Sequence, residues 1–520
     1  MGIVPGVRGF RGIASEGPSK SVSKRCRDGD TVSLSQGVTW NLTVVSPESY
    51  VLGTGVCLAG CGSACRSSLR DSGFDRRLPL HLTRQAIVLQ RNTWKNHRVL
   101  ENGKTVTFFT SSALGTAVRL EAPMRQEVQV QLIKQLETHL DASTNVDAGG
   151  LMLNPTQVYV DADLAKREWD EFFVGHPQVV GLSGDLPSAG SFMTIDDLGV
   201  PILATRDGEG QFRAFVNSCR HRGALVETRE RGEAKVFSCP FHNWTYGHDG
   251  SLLRLTKSDH FGEVDTSCLG LVALPAVEQH GILWVHPDPN GTIDVASLLG
   301  GELDDELSSW NFDGLRNIGV DSYDVVCNWK LAMDTFGETY HFPVLHRNTL
   351  ALTFHGNVQC YDTFGRNHRM ILCRRAIDDM LALPENEWRI TTAGLPVYWI
   401  FPNIQLMPSD FGCFLVRAYP TPGKPNQHVS RISFYVWPGT EVDSAQEAAL
   451  QGIGQGFASI IRDEDYVVAA SQQRAADNGS LEHVVFGRNE PALHHYHSTY
   501  RAALGMDPLP LLAEDEVATS

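Results

Sequence analysis

The chain has 520 residues, with 44 Lys and Arg against 60 Asp and Glu and a formal net charge of −16 at pH 7. Its 42% hydrophobic and 20% charged residues are typical of a globular protein, and its length suggests about two to four domains. The acidic balance argues against nucleic acid as a main partner, and the lack of an apolar run of about 18 residues predicts no membrane-spanning helix.

The first 123 residues differ in charge from the rest of the chain. They carry 16 basic and 8 acidic residues, a net of +8, whereas residues 124–520 carry −24. Their composition shows no sustained periodicity and no apolar core of a secretory signal peptide. Cys57, Cys61 and Cys65 are spaced unlike the usual zinc or iron–sulfur ligands. We predict that residues 1–123 form a disordered or adventitious extension.

A helix is predicted directly after this stretch. Val128, Leu132, Leu136 and Leu140 recur every four residues, as on one face of a helix. Met124 opens this pattern, and we expect it to be the natural start. The predicted N-terminal helical segment covers residues 124–157.

Short β-rich segments follow from about residue 158. Residues 199–206 and 211–219 are two such segments, and the turn-forming residues 207–210 (Asp-Gly-Glu-Gly) between them predict a hairpin. The chain here has the pattern of a small antiparallel β domain.

Two cysteines and two histidines come next, in the pattern C-x-H-x17-C-x2-H: Cys219, His221, Cys239 and His242. Each half places one thiol and one imidazole on a single loop. Zinc accepts such a set, but zinc fingers keep the cysteines together and the histidines together. The mixed halves suit a [2Fe–2S] cluster in which one iron takes both cysteines and the other takes both histidines. Zinc stays the alternative.

This motif, followed by Asn243-Trp-Thr-Tyr246 and Asp249-Gly250, resembles the Rieske domain of the ring-hydroxylating oxygenases. The resemblance implies an all-β Rieske domain over residues 158–290, with the four motif residues as ligands of a [2Fe–2S] cluster. We expect Gly223 to serve backbone geometry and the two aromatic residues, Trp244 and Tyr246, to pack in the core.

A second set of ligand-type residues lies between Asn328 and His346. Glu338 and His341 are three residues apart and would share a helix face, whereas His341 and His346 would point about 140° apart. Pro343 should break the helix and let His346 turn back towards His341. Two histidines suit Fe(II), zinc or copper, and one added carboxylate gives the facial triad of non-haem Fe(II) oxygenases.

The family resemblance, which covers roughly residues 155–505, supplies the third iron ligand. It maps the family's aspartate onto Asp465, in an acidic run that opens a helical stretch; Asp463 and Glu464 are close alternatives. Thr335 departs from the Asn of many relatives. We expect the histidines near the end, which could suggest another metal, to pack in a terminal helix or face solvent; these are His494, His495 and His497.

The resemblance also implies the architecture and the electron path. The fold class is α+β: after the Rieske domain comes a catalytic domain over 291–510, an antiparallel sheet plus helices of the helix-grip, START-like type, and then a tail, 511–520. Glu338 would link His341 to His242 of the next subunit in a head-to-tail homotrimer, with or without a β subunit. Apolar strands over 395–408 would cover the iron.

The predicted activity is hydroxylation of an aromatic or other hydrophobic substrate with O2. Residues 452–456 lack the full G-x-G-x-x-G spacing, so a separate ferredoxin, a flavin reductase drawing on NAD(P)H, or both must supply electrons. Oxidative demethylation by a monooxygenase is the alternative; a Rieske electron carrier and a zinc-binding interaction protein are rivals of other classes. The scattered cysteines favour a reducing compartment, the cytoplasm.

Overall fold

A computed structural model describes residues 124–438 and 444–512, together with a hairpin of strands β1 (Val44–Ser46) and β2 (Ser49–Tyr50). The remaining residues of the first 123, including Cys57, Cys61 and Cys65, lie outside the described residues, so the predictions made for them stay predictions.

The chain divides into two compact units, Met1–Trp94 and Lys95–Ser520. All elements described below belong to the second unit. Within the described parts of the chain, no helix is long and apolar enough to cross a membrane.

Helix α1 (Gln126–Ala142) follows the predicted apolar face, and Leu132 and Leu136 are buried. After it the backbone extends into strand β3 (Leu151–Pro155), so the segment 124–157 contains a strand as well as a helix. Strand β3 pairs with β22 and β23 near the C-terminus. The N-terminal segment is therefore tied by backbone hydrogen bonds to the last part of the chain.

The Rieske-like region consists of small antiparallel sheets, joined to β3 by helix α2 (Ala162–Glu168) and a π-helical turn (Trp169–Val174). The predicted hairpin is confirmed, since β6 and β7 pair in antiparallel register. The strands of this region are β4 (Gln178–Leu182), β5 (Ser191–Ile195), β6 (Ile202–Arg206), β7 (Phe212–Val216), β8 (Arg231–Glu233), β9 (Phe237–Ser238), β10 (Thr245–Tyr246), β11 (Leu252–Arg254), β12 (Ala273–Leu274), β13 (Ala276–Gln279) and β14 (Ile282–Val285).

The region that follows is built on one seven-stranded antiparallel sheet, in the order β15-β21-β20-β19-β18-β17-β16. Its strands are β15 (Arg316–Val325), β16 (Phe354–Phe364), β17 (Asn367–Arg374), β18 (Gly394–Ile400), β19 (Ile404–Pro408), β20 (Gly412–Thr421) and β21 (Lys424–Val436). Strands β18 to β21 contain the predicted apolar segments. Apolar side chains on both faces of the sheet form two separate cores, and one of them contains the buried side chains of α1.

Helices pack around this sheet. They are α3 (Val295–Leu299), α4 (Gly301–Ser308), α5 (Trp329–Asp334), α6 (Ile377–Leu381), α7 (Ile390–Ala393), α8 (Ser444–Ile460), α9 (Tyr466–Asp477) and α10 (Pro491–Ala503). A π-helical turn (Ile461–Asp465) joins α8 to α9. A separate three-stranded sheet contains β3, β22 (His483–Phe486) and β23 (Leu511–Leu512). The α+β fold class, with a β-rich region followed by an antiparallel sheet and helices, is confirmed.

Candidate active site

The four residues of the C-x-H-x17-C-x2-H motif lie on two loops of matching backbone geometry. In each loop the cysteine carbonyl accepts the backbone N–H of the residue four positions later, which is Gly223 in one loop and Asn243 in the other. Both of these residues have positive φ, +79° and +59°. The backbone role predicted for Gly223 is confirmed, and Asn243 performs the same role in the second loop.

The loops bring the two imidazoles and two thiols together at one end of the β region. His221 Nδ1 lies 3.1 Å from His242 Nδ1, and Cys219 and Cys239 are buried. The pKa of His242 is lowered by desolvation and by the neighbouring His221 and Arg222, which favours the neutral, ligating imidazole. Two buried thiols beside two converging imidazoles fit the donor set of a [2Fe–2S] cluster.

Aromatic side chains surround these loops. Trp244 is buried and stacks on His221, with ring centroids 5.0 Å apart, while Phe241 lies against His242 at 3.8 Å. Tyr246 is fully buried, as expected, but it is more than packing: its hydroxyl lies 3.2 Å from Cys219 Sγ and accepts the Arg220 N–H. The tyrosine O–H proton is therefore free to point at the sulfur.

A second donor set forms between the turns that follow α5 and the π-helical turn. His341, His346 and Asp465 each offer a ligand atom, and these three atoms lie within 4.8 Å of one another. Asp465 Oδ1 is 3.2 Å from His346 Nε2 and 3.6 Å from His341 Nε2. His346 and Asp465 are buried. Two imidazoles and one carboxylate facing a common point can hold an Fe(II) ion with positions left open.

The backbone around His341 differs from the prediction. Helix α5 ends at Asp334, before Glu338 and His341, so the two residues do not share a helix face and Pro343 does not end the helix. Turns carry the chain through residues 335–349. The Glu338 carboxylate accepts both the N–H and the Nδ1–H of His341, and such local side-chain bonds compete with a continuing helix.

The acidic run over residues 463–465 is followed by the predicted helical stretch, α9, but its own position relative to the helices differs from the prediction. It does not open a helix but sits in the π-helical turn between α8 and α9. Asp463 pairs with Arg462 at an exposed position, and Glu464 accepts the Nδ1–H of His346. Of the three candidate carboxylates, Asp465 is thus the one that faces both Nε2 atoms.

Electrostatics favour a cation at this point. Burial alone would lower the pKa of His341, but hydrogen bonds with Asp465 and Glu338 raise it to about 9. Burial would raise the pKa of Asp465, yet the two histidines lower it. The carboxylate is therefore held ionised beside two imidazoles, and a bound metal ion can replace the protons that balance its charge.

A small apolar cavity of about 50 Å³ borders the three residues. Its apolar lining is Phe336, Phe342, Leu350, Phe354, Leu372, Leu395, Val397, Met407, Phe457, Ile460 and Ile461. Among its described lining residues, the ionisable ones are Glu338, His341, His346 and Asp465, and Thr335 adds a hydroxyl. A second cavity, of about 200 Å³, also borders Glu338, His341 and Asp465 and includes Asp334 and Glu490.

Two buried polar networks escaped the sequence analysis. Glu168 accepts from Trp329 Nε1 at 2.8 Å and from Lys330 Nζ at 2.6 Å, which explains the Asn-Trp-Lys run. His497 Nε2 lies 2.8 Å from Asp334 Oδ1. His494 and His497 are buried in α10, so these histidines are packed as predicted and do not face solvent.

Two family models match stretches of the chain that contain the motif residues. Residues 176–266 match the Rieske [2Fe-2S] domain family, and residues 312–506 match the ring-hydroxylating α subunit (catalytic domain) family; together the matches span more than half of the chain. The chain belongs to the Rieske non-haem iron oxygenases, as the resemblance implied. It is an oxidoreductase whose family uses a Rieske cluster and a mononuclear iron.

Relatives within the family carry out several reactions. The chain is 24% identical to choline monooxygenase of Beta vulgaris over 353 residues, which cover 66% of this chain and 75% of that one. It is 30% identical to the anthranilate 1,2-dioxygenase large subunit of Acinetobacter baylyi over 178 residues, 33% of this chain and 37% of that one. The family takes electrons from reductase or ferredoxin partners and forms oligomers.

Solved structures share the fold. A quaternary ammonium Rieske monooxygenase in complex with L-carnitine matches with a TM-score of 0.58 at 19% identity, covering 69% of this chain and 97% of that one. Naphthalene 1,2-dioxygenase with indole in its active site matches with a TM-score of 0.53 at 18% identity, covering 70% of this chain and 94% of that one.

Proposed function

We propose that this oxygenase hydroxylates a small, uncharged, hydrophobic substrate, such as an aromatic ring, beside His341, His346 and Asp465. The observation that carries the proposal is the apolar cavity bordering these residues. Its size and lining favour a compact ligand that needs no ionic partner.

We assign the ligands as follows: Cys219 and Cys239 hold one iron of the cluster, His221 and His242 hold the other, and His341, His346 and Asp465 hold the mononuclear Fe(II). When bound, these groups supply electrons and activate O2. The chain itself excludes water with its phenylalanine and leucine side chains and holds the substrate next to the ligands. Inserting one oxygen atom consumes O2, two electrons and two protons and releases water; inserting both atoms into a ring consumes the same O2, two electrons and two protons and gives a dihydrodiol without release of water.

Oxidative demethylation is the second candidate. Choline and glycine betaine monooxygenases are among the relatives, and four phenylalanines line the cavity, whose ring faces attract quaternary ammonium groups. However, no Arg or Lys is among the described residues that line the cavity, so a substrate carboxylate would lack a cationic partner. This counts against glycine betaine but not against choline, which has no carboxylate; we rank an uncharged substrate first because the cavity lining is mainly apolar.

Glu338 is proposed to connect the two metal sites between subunits. Its carboxylate already accepts from His341 and lines the second cavity, and Tyr340 and Val344, close to it in sequence, have exposed side chains. In a head-to-tail homotrimer it would also accept the free imidazole N–H of His242 from the next subunit. Glu338→Gln should leave all iron bound while slowing oxidation of the reduced cluster in a single turnover at least tenfold. A normal rate would contradict the bridge.

We further propose the domain boundaries 158–290 and 291–510, and an extension over 1–123 that belongs to neither domain. The electron donors are a separate ferredoxin, a flavin reductase using NAD(P)H, or both, and a β subunit is an optional part of the assembly. A cytoplasmic location is supported by the cysteines of the described residues, which are all free.

A test of the proposed function begins with iron and acid-labile sulfide analysis of the full chain. Three irons and two sulfides per chain are expected, whereas an electron carrier would hold two irons and a zinc protein neither iron nor sulfide. The loaded protein is then assayed with a surrogate reductase and labelled O2, on small aromatic hydrocarbons and in parallel on choline and glycine betaine. Turnover of the aromatic compounds supports the first candidate; turnover of the ammonium compounds alone, with formaldehyde release, replaces it with the second.

A further inference from the structure

The π-helical turn places two consecutive carboxylates on opposite edges of one imidazole. Asp465 Oδ1 lies 3.2 Å from His346 Nε2, and Glu464 Oε2 lies 2.7 Å from His346 Nδ1. In a regular α-helix consecutive side chains point about 100° apart. The wider π turn (Ile461–Asp465) lets both reach the same ring.

Glu464 is itself held in place by Thr349. The buried Thr349 hydroxyl donates to Glu464 Oε2 at 2.8 Å, and the Thr349 backbone N–H donates to the carbonyl of His346 at 2.9 Å. His346, Thr349 and Glu464 therefore form a closed ring of hydrogen bonds. None of these contacts involves the exposed Asp463, one residue away in sequence, which pairs with Arg462.

We infer that Glu464 is a positioning residue that sets the tautomer and the rotation of His346. The Glu464 carboxylate accepts the Nδ1–H of His346, which in the iron-loaded protein would leave the Nε2 lone pair for the metal ion that Nε2 and Asp465 both face. Partners of this kind orient histidine ligands and typically change metal affinity by about 10–100-fold. The inference rests on the proposed function, since it assumes that His346 binds Fe(II).

The test measures the Fe(II) dissociation constant of the full chain loaded with its cluster. Glu464→Leu removes the acceptor and should weaken Fe(II) binding by about 10–100-fold, while the visible spectrum of the cluster stays unchanged. Glu464→Gln keeps an oxygen acceptor and should recover most of the affinity. Asp463→Asn is the matched control, because it removes a negative charge one residue away and should bind Fe(II) like the original chain.

If Glu464→Leu fails to fold, Thr349→Val gives the second measurement. It removes a single hydrogen bond to Glu464 and should weaken Fe(II) binding by roughly 2–10-fold. Dissociation constants equal to that of the original chain in the folded variants would overturn the inference. If the original chain itself binds no third iron, the proposed function fails instead, so the two failures are distinguishable.

Discussion

The buried pair between Lys330 and Glu168 offers a direct test of what holds α2 and α5 together. Lys330 and Glu168 side chains are 0% and 1% exposed, and their charged atoms lie 2.6 Å apart. Trp329 Nε1 and the Tyr500 hydroxyl donate to the same carboxylate. Lys330→Met would leave Glu168 buried with neutral donors only. We expect it to lower the free energy of unfolding by about 3–5 kcal/mol, the usual cost of removing one partner of a buried ion pair.

A double variant separates the charge from the packing. In Glu168→Gln with Lys330→Met, the amide oxygen can take the Oε2 position and accept from Trp329 Nε1, the amide NH2 at the Oε1 position can donate to the Tyr500 hydroxyl, and no unpaired charge is left in the interior. The double variant should therefore lose only about 1–2 kcal/mol, less than Lys330→Met alone. The measurement is urea unfolding followed by circular dichroism and tryptophan fluorescence, with the free energy extrapolated to water.

A matched control is Lys166→Met, because Lys166 on α2 forms an exposed ion pair with Asp170 in the π-helical turn that follows. Its effect should stay within about 0.5 kcal/mol. The reasoning is refuted if Lys330→Met lowers the free energy of unfolding no more than this control does. It is also refuted if the loss in the double variant equals the sum of the losses measured for Glu168→Gln and Lys330→Met separately.

Two further predictions concern the β region. Tyr246→Phe removes the hydroxyl next to Cys219 Sγ. The reduced cluster should then lose about 1 kcal/mol of stabilisation, which lowers its reduction potential by roughly 40 mV as measured by protein-film voltammetry. An unchanged potential would show that the O–H does not point at the sulfur. Burial would raise the pKa of Glu278, but hydrogen bonds from Arg206 and Ser183 lower it below its ordinary value of 4.5. Its carboxylate therefore stabilises the fold above about pH 4.5, and this stability is lost as the pH falls through the lowered pKa. Thermal melts from roughly pH 6 to pH 3 should show a flatter decline for Glu278→Gln than for the original chain, and parallel curves would contradict the assignment.

Local spacing indicated six of the seven donor residues because these lie in three close pairs along the sequence, whereas Asp465 was supplied by the family resemblance. A loop that presents one cysteine and one histidine needs only a few residues and a turn. The segments Cys219-Arg-His221 and Cys239-Pro-Phe-His242 both have this form. The second left-handed position, Asn243, had a usable signal that was missed: it follows its cysteine by four residues, as Gly223 does.

Long-range partners could not be predicted in this way. Glu168 lies 162 residues before Lys330, and nothing in its local sequence separates it from a solvent-exposed helical glutamate. The pairing of His346 with Glu464 spans 118 residues and depends on how α8 packs on the sheet. Such contacts are set by tertiary packing, which a single sequence does not encode in any local pattern.

Backbone geometry within the iron region was the least predictable part. An i, i+3 pair of Glu338 and His341 fits a helix and a turn equally well, and in the turn the His341 backbone N–H donates to the Glu338 carboxylate. The periodicity of the sequence likewise predicts helix on both sides of Asp465, but not the single wider turn that contains it.

That wider turn also bears on how this chain could change during evolution. Loss of one residue between Ile461 and Asp465 would restore regular α-helical winding. Because a π turn accommodates one residue more than an α-helical turn, α8 and α9 would keep their faces and neither would need to unfold. Consecutive side chains would again point about 100° apart, so two neighbouring carboxylates could no longer both reach the ring of His346. A one-residue gap at this turn in a homologous sequence would therefore mark a protein that has kept the fold and lost the paired carboxylates around this histidine.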